Sequence, residues 1–295
     1  MKYLIFFISL FIGFSATGQN SDLVNDALIA YKEGRLQDAQ SFIEDALKQP
    51  ELSESPKVWN FKGHVYKQLY KESTGSSEMY WFRDEAVMAF KRTIELSEKG
   101  KYAEDSRKAL EYLSATYFND ALKSAASVTY GVDDDPVINF QKFKELKFWL
   151  NPNENITREE LQFLKMLAQG FEKIHTKSEV PGLDYMEKAV DYYEQALEID
   201  SLDYAANFNL AIVYYNEGAE LIGKINYNTG FVELIQIQNS CVKYFTKALP
   251  FMERAEAIRP NRVETLKGLM FINRALNNFE KYIEYKVLLE EILKK

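Results

Sequence analysis

The stretch KVWNFKGHVY, residues 57–66, sets Trp59, Lys62, Gly63 and Tyr66 at offsets 0, 3, 4 and 7, and NFNLAIVY, residues 207–214, repeats it with Asn207, Leu210, Ala211 and Tyr214. These offsets bring a small residue and an aromatic onto one face of a helix. LKMLAQGF gives Leu164, Leu167, Ala168 and Phe171; LEYLSATY gives Leu110, Leu113, Ser114 and Tyr117; ETLKGLMF gives Glu264, Lys267, Gly268 and Phe271. A recurring unit of this kind is the first thing to establish in a chain, because it decides the architecture.

A second pattern follows the better copies. AQSFIEDAL carries Ala39, Ile43, Ala46 and Leu47, and AVDYYEQAL carries Ala189, Tyr193, Ala196 and Leu197. AVMAFKRTI supplies Ala86, Phe90, Thr93 and Ile94; ALPFMERAE supplies Ala248, Met252 and Ala255. Two antiparallel helices approach closely only where both present small side chains, and an aromatic beside the gap fills the groove. Each hairpin leaves an apolar face open, so copies must stack to bury it. The structural seam is therefore expected at Gly63, Tyr66, Ala86, Ala168, Phe171, Ala189, Ala196, Ala211, Tyr214, Ala248 and Gly268.

These residues resemble the tetratricopeptide repeat family, with Pro50 and Pro260 where that family closes a repeat. The resemblance implies an all-α, right-handed α-solenoid of about six degenerate helical hairpins, ending in a C-terminal capping helix with a polar outer side. It covers nearly all of residues 20–295 and is strongest in 21–96 and 183–275. Ala27 and Ala39 have the compact family spacing of 12, whereas Gly63/Ala86, Ala168/Ala189 and Ala211/Ala248 are 23, 21 and 37 apart. The last of these enlargements, around Ile222–Ser240, contains INYNTGFVELIQIQ and is expected to extend a hairpin, packing onto the solenoid in preference to a partner. The resemblance also implies a concave groove lined by first helices, which in that family holds extended peptides or helices. Carried onto this chain, groove positions are Asn60, His64, Lys67, Phe208, Ile212, Tyr215, Thr265 and Leu269.

Composition agrees with long packed helices: 46% apolar residues, 14% aromatics, and only 13 Gly and 7 Pro among 295 residues. The pattern shows no period-two alternation and no linker long enough to separate domains. Thr157 reads as the N-cap of a helix, with Glu160 completing a capping box. Pro250 interrupts a helical stretch and should kink or restart it. The net charge of −8 disfavours nucleic acid and anionic lipid, since both require clustered Lys and Arg.

MKYLIFFISLFIGFSATGQN opens the chain. Lys2, the apolar run Leu4–Phe14 and the small residues Ala16 and Gly18 have the three-part layout of a secretory signal, cleaved before Gln19. The eleven residues of this run make about 16 Å of helix, short of the ~30 Å a bilayer requires. The expected division is a signal peptide at 1–18 and the helical array at 19–295. No stable membrane insertion is expected after cleavage, and no cysteine at the cleavage point offers a lipid anchor. This start resembles exported Bacteroidota proteins, which implies a periplasmic, otherwise extracellular, address.

Motifs for chemistry are weak. GAELIGKI, residues 218–225, has phosphate-loop spacing but Ile225 where magnesium needs a hydroxyl, and it sits in a helical segment. Asp133-Asp134-Asp135-Pro136 lacks the Gly and distal Glu of a calcium loop. His64 and His175 have no ligand at zinc spacing. Cys241, the single cysteine, reads as a small buried residue. Glu159/Glu160 and Glu290/Glu291 read as solvated helix faces with local ion pairs. No cofactor, metal or catalytic residue is expected. The reading is a non-catalytic scaffold binding a protein or peptide in the cell envelope. The alternatives are a glycan-binding component of an outer-membrane uptake system and a cell-wall glycan hydrolase.

Overall fold

The computed structural model describes residues 17–73, 78–128, 134–176 and 185–294; the apolar opening run and residues 74–77, 129–133 and 177–184 lie outside them. Thirteen helices and no strand occur among the described residues. The chain divides into two compact units, meeting in sequence between Thr116 and Tyr117.

The first unit holds α1 (Thr17–Lys32), α2 (Leu36–Leu47), the single turn α3 (Pro50–Ser53), α4 (Pro56–Glu72), α5 (Met79–Leu96) and the beginning of α6 (Lys101–Ala126). α1 pairs with α2 and α4 with α5, while α2 also packs on α4. Gly34 and Gly100 adopt left-handed φ values of 78° and 100°, which reverse the chain at little steric cost. Pro56 fills the first turn of α4, where its missing N–H has no intrahelical partner to lose. A Cβ on Gly63 would stand 2.5 Å from the Phe90 ring, so the glycine is what lets α4 and α5 close around that aromatic. Lys62, almost fully buried, is held by Glu44 at 2.8 Å and Glu85 at 3.1 Å, with its ammonium over the Trp59 and Tyr66 rings. Arg83 is also buried, between the rings of Tyr70 and Tyr80.

The second unit holds the rest of α6, then α7 (Asp134–Leu150), α8 (Thr157–His175), α9 (Tyr185–Ile199), α10 (Tyr204–Gly223), α11 (Phe231–Ile258), α12 (Val263–Ala275) and α13 (Phe279–Leu293). Phe118, Phe140, Phe143 and Phe163 join α6, α7 and α8, with Phe140 and Phe163 stacked at 4.1 Å. The larger core gathers Tyr193, Leu210, Phe245, Met252 and Leu269 around Ala168, Ala196, Ala211 and Ala248. α8 pairs with α9, α10 with α11 and α12 with α13, and α9 packs in turn on α10. The seam positions expected from the sequence are buried, with Ala86, Ala168, Ala189, Ala196, Ala211 and Ala248 wholly inaccessible; Gly268 is half-buried against Met252.

Five local expectations change. Thr157 is the first helical residue instead of the cap: its N–H is taken by the Asn155 side chain at 3.0 Å, and Glu160 pairs with Lys144, so no capping box forms. Pro250 does not restart a helix, because α11 runs on through it from Phe231 to Ile258. Phe271 is 44% exposed, since α12 turns Leu266, Leu269 and Ile272 into the core instead. On α13 only Leu289 is buried, and Phe279, Ile283 and Val287 form an exposed stripe at four-residue spacing, so the outer side of this last helix is not polar. The α10–α11 hairpin is extended as expected, but its tip does not pack onto the array. Tyr227, Phe231 and Val232 are more than two-thirds exposed, and nothing between Gly218 and Cys241 is buried.

Candidate functional site

Asp203 caps α10: its Oδ1 accepts the Ala206 N–H at 2.8 Å, while Oδ2 receives Lys165 of α8 at 2.6 Å. Ten residues further along α8, His175 meets Glu217 of α10 at 2.6 Å. One tie joins the middle of α8 to the start of α10 and the other joins the end of α8 to a later turn of α10, so the two helices run parallel, as first helices of successive hairpins. Between their N-terminal halves lies an open concavity of about 780 Å³. Arg158, Glu159, Gln162, Lys165, Gln169 and Asp203 line it with donors and acceptors, and Leu161, Met166 and Ala205 add apolar surface. Arg158 and Glu159 both line the concavity and make no ion pair among the described residues.

The first unit carries a corresponding tie. Asp105, in the first turns of α6, accepts from Asn60 at 2.8 Å and meets His64 Nε2 at 2.5 Å, both on α4. Partial burial pushes the Asp105 carboxyl up, but the hydrogen bonds from Asn60 and His64 outweigh this and hold it below the usual range. Lys67, half-buried over the Phe90 ring, has its pKa lowered by burial and then by Lys71. A carboxylate at the start of one first helix thus grips a cationic or imidazole side chain on the preceding one, in both units.

Of the groove residues expected from the sequence, Asn60, His64 and Lys67 come together around Asp105. Asn60 is buried, also bonding Ser106 at 3.1 Å, and so presents no surface to a partner. Thr265 and Leu269 are fully buried, Thr265 against the Tyr204 hydroxyl at 2.9 Å and Leu269 in the core, and they leave the groove for the same reason. Phe208 is half-buried and stacked on Tyr204. Ile212 and Tyr215 are half-buried against the core, and burial pushes the Tyr215 hydroxyl up. Arg158, Gln162, Lys165 and Asp203, which line the concavity, were not singled out by sequence. Their signal was the N-cap aspartate of one first helix and the polar face of the one before it.

Glu160 and Glu290 form ion pairs with Lys144 and Lys286, as expected for helix surfaces, and Glu159 faces the concavity. Residues 218–223 lie inside α10, so the phosphate-loop spacing is helical. Cys241 is buried, its Sγ 3.4 Å from the Gly218 carbonyl, and burial raises its thiol pKa.

No protein-family model and no curated protein matches the sequence. Among solved structures, the chain is similar to a TPR repeats protein from Bacteroides fragilis, at 15% identity and a TM-score of 0.47, with 88% of this chain and 98% of that one covered. It is similar to YrrB, a TPR protein with an unusual peptide-binding site, at 17% identity and a TM-score of 0.27, covering 86% and 97%. It is also similar to PilW, a type IV pilus biogenesis factor, at 15% identity and a TM-score of 0.30, covering 93% and 98%. No helix among the described residues is long and apolar enough to cross a membrane.

Proposed function

We propose that this chain is a non-catalytic protein-interaction scaffold of the cell envelope, exported by cleavage before Gln19, and that the concavity between α8 and α10 holds a polypeptide segment of its partner. The observation that carries the reading is the concavity itself. It is open, about 780 Å³, and lined by amides and by charges of both signs. Such a lining suits an extended backbone, whose N–H and C=O groups need partners wherever water is displaced. Its mixed charge selects a polar segment over an anionic polymer.

The test has two arms. A photo-cross-linker at the exposed Gln162 is expected to trap one reproducible envelope protein, whose purified form then binds the full chain. Arg158→Glu, at an exposed position that makes no tie to α10, should weaken that binding at least tenfold while circular dichroism stays unchanged. Unaltered affinity would overturn the groove assignment, and a mature protein whose first residue precedes Gln19 would overturn the export reading.

A further inference from the structure

His175 is the last residue of α8, and Glu217 and Glu220 stand three apart on α10, sharing one of its faces. Their ligand atoms, His175 Nε2 and one carboxylate oxygen from each glutamate, all lie within 4.8 Å of one another. Sequence spacing hides this group, because 42 residues separate His175 from Glu217.

The chemistry of the set is selective. A tetrahedral ion with ligand distances of about 2.0–2.2 Å needs donor atoms roughly 3.4 Å apart. Binding an ion there has to open the His175–Glu217 pair, now at 2.6 Å, by roughly 0.8 Å and bring Glu220 in from within 4.8 Å. Glu220 is mostly exposed, whereas His175 and Glu217 are partly buried where α8 meets α10. One imidazole with two carboxylates matches the ligand types of zinc, and three protein ligands leave one position for water. Calcium wants six to eight oxygens and magnesium near-octahedral oxygen geometry, neither of which three side chains supply. Lys224 opposes the ion: its ammonium pairs with Glu220 at 2.8 Å and must be displaced.

We propose that His175, Glu217 and Glu220 form a zinc(II) site that fastens the end of α8 to α10. The site is independent of partner binding in the concavity. It needs no partner for its test.

Purified full chain, stripped with a chelator and dialysed, is titrated with zinc chloride alone by calorimetry and followed by thermal melting. One equivalent is expected to bind in the micromolar range and to raise the melting temperature. Magnesium and calcium chloride at the same concentration should leave it unchanged. Glu220→Gln, at an exposed position, should weaken zinc at least tenfold without altering the melting of the metal-free protein. Lys224→Gln should tighten zinc several-fold, and His64→Gln should bind as the unmodified chain does. The proposal is overturned if Glu220→Gln and His175→Gln retain full affinity, if calcium stabilises as strongly as zinc, or if no saturable zinc binding occurs.

Discussion

Gly170→Ala is the sharpest test of how the helices of the second unit pack. A Cβ at this position of α8 would lie 2.1 Å from the backbone carbonyl oxygen of Ala125 in α6 and 3.2 Å from the Val128 side chain. Ordinary carbon–oxygen contacts begin near ~3.3 Å, so α6 and α8 would have to separate by about 1 Å. No side-chain rotation relieves the clash, because its partner is backbone. Within a helix the substitution alone gains about 1 kcal/mol in propensity. Overpacking of a closed interface costs about 1–3 kcal/mol and more when backbone must move. The clash wins, by about 1–2 kcal/mol. For a unit of this size that is a fall of about 2–4 °C per kcal/mol. Thermal melting at 222 nm measures it, with Gly223→Ala as control, since nothing lies within 4 Å of a Cβ there. Gly63→Ala meets ring atoms of Phe90 instead, so Phe90→Leu should relieve it, whereas no side-chain change at Ala125 rescues Gly170→Ala. A Gly170→Ala protein melting at or above the parent would refute the close α6–α8 approach.

Ala211→Leu places three heavy atoms in a position with no accessible surface and should cost about 1–3 kcal/mol by urea denaturation; unaltered melting would remove the seam. Burial pushes the Glu172 carboxyl up, partly offset by the Tyr193 hydroxyl, so the folded chain holds this proton more tightly than the unfolded one. The stability tied to that proton is fully present below the unfolded pKa and is lost as pH rises through the folded value. Glu172→Gln should flatten the slope there and leave the protein at least as stable at pH 7, read from urea midpoints at several pH values. Tyr227→Ser with Phe231→Ser changes two exposed side chains at the hairpin tip and should shift the melting temperature by under about 2 °C, where a larger fall would show that the tip is packed. Asp203→Asn keeps a cap acceptor and loses the pair with Lys165, costing under about 1 kcal/mol, while Asp203→Ala loses both and costs about 1 kcal/mol more.

The hairpin pattern was legible because close helix contact has a local requirement, a small residue opposite a bulky one, and helical spacing writes that requirement into a short stretch. Ala168, Ala189 and Ala211 follow from offsets alone. Gly170 does not, because its meaning depends on the Ala125 carbonyl, more than forty positions earlier. Phe271 shows the converse: the offsets around Gly268 fit, but the core meets α12 on the face of Leu266, Leu269 and Ile272. A period identifies that a helix has an apolar face; a neighbouring helix decides which edge of that face is covered.

Three of the groove positions, Asn60, Thr265 and Leu269, are covered for a related reason. Asn60 and Thr265 each follow the first position of the repeated pattern, Trp59 and Glu264, by one, and sequence reading takes an off-seam polar residue as exposed. A first helix in a stack, however, is covered on one side by its own hairpin partner and on another by the first helix of the next copy. Only a narrow arc remains for solvent. Residues at the edge of that arc bond across to the next helix, as Asn60 does to Asp105 and Ser106. The same crossing ties, Asp105 to His64 and Asp203 to Lys165, hold one first helix beside the next. In the second unit the concavity lies beside such a tie, with Lys165 and Asp203 in its lining. The surface open to a partner is therefore what the stacking contacts leave over, and it falls on Arg158, Gln162 and Gln169, which no seam motif marks.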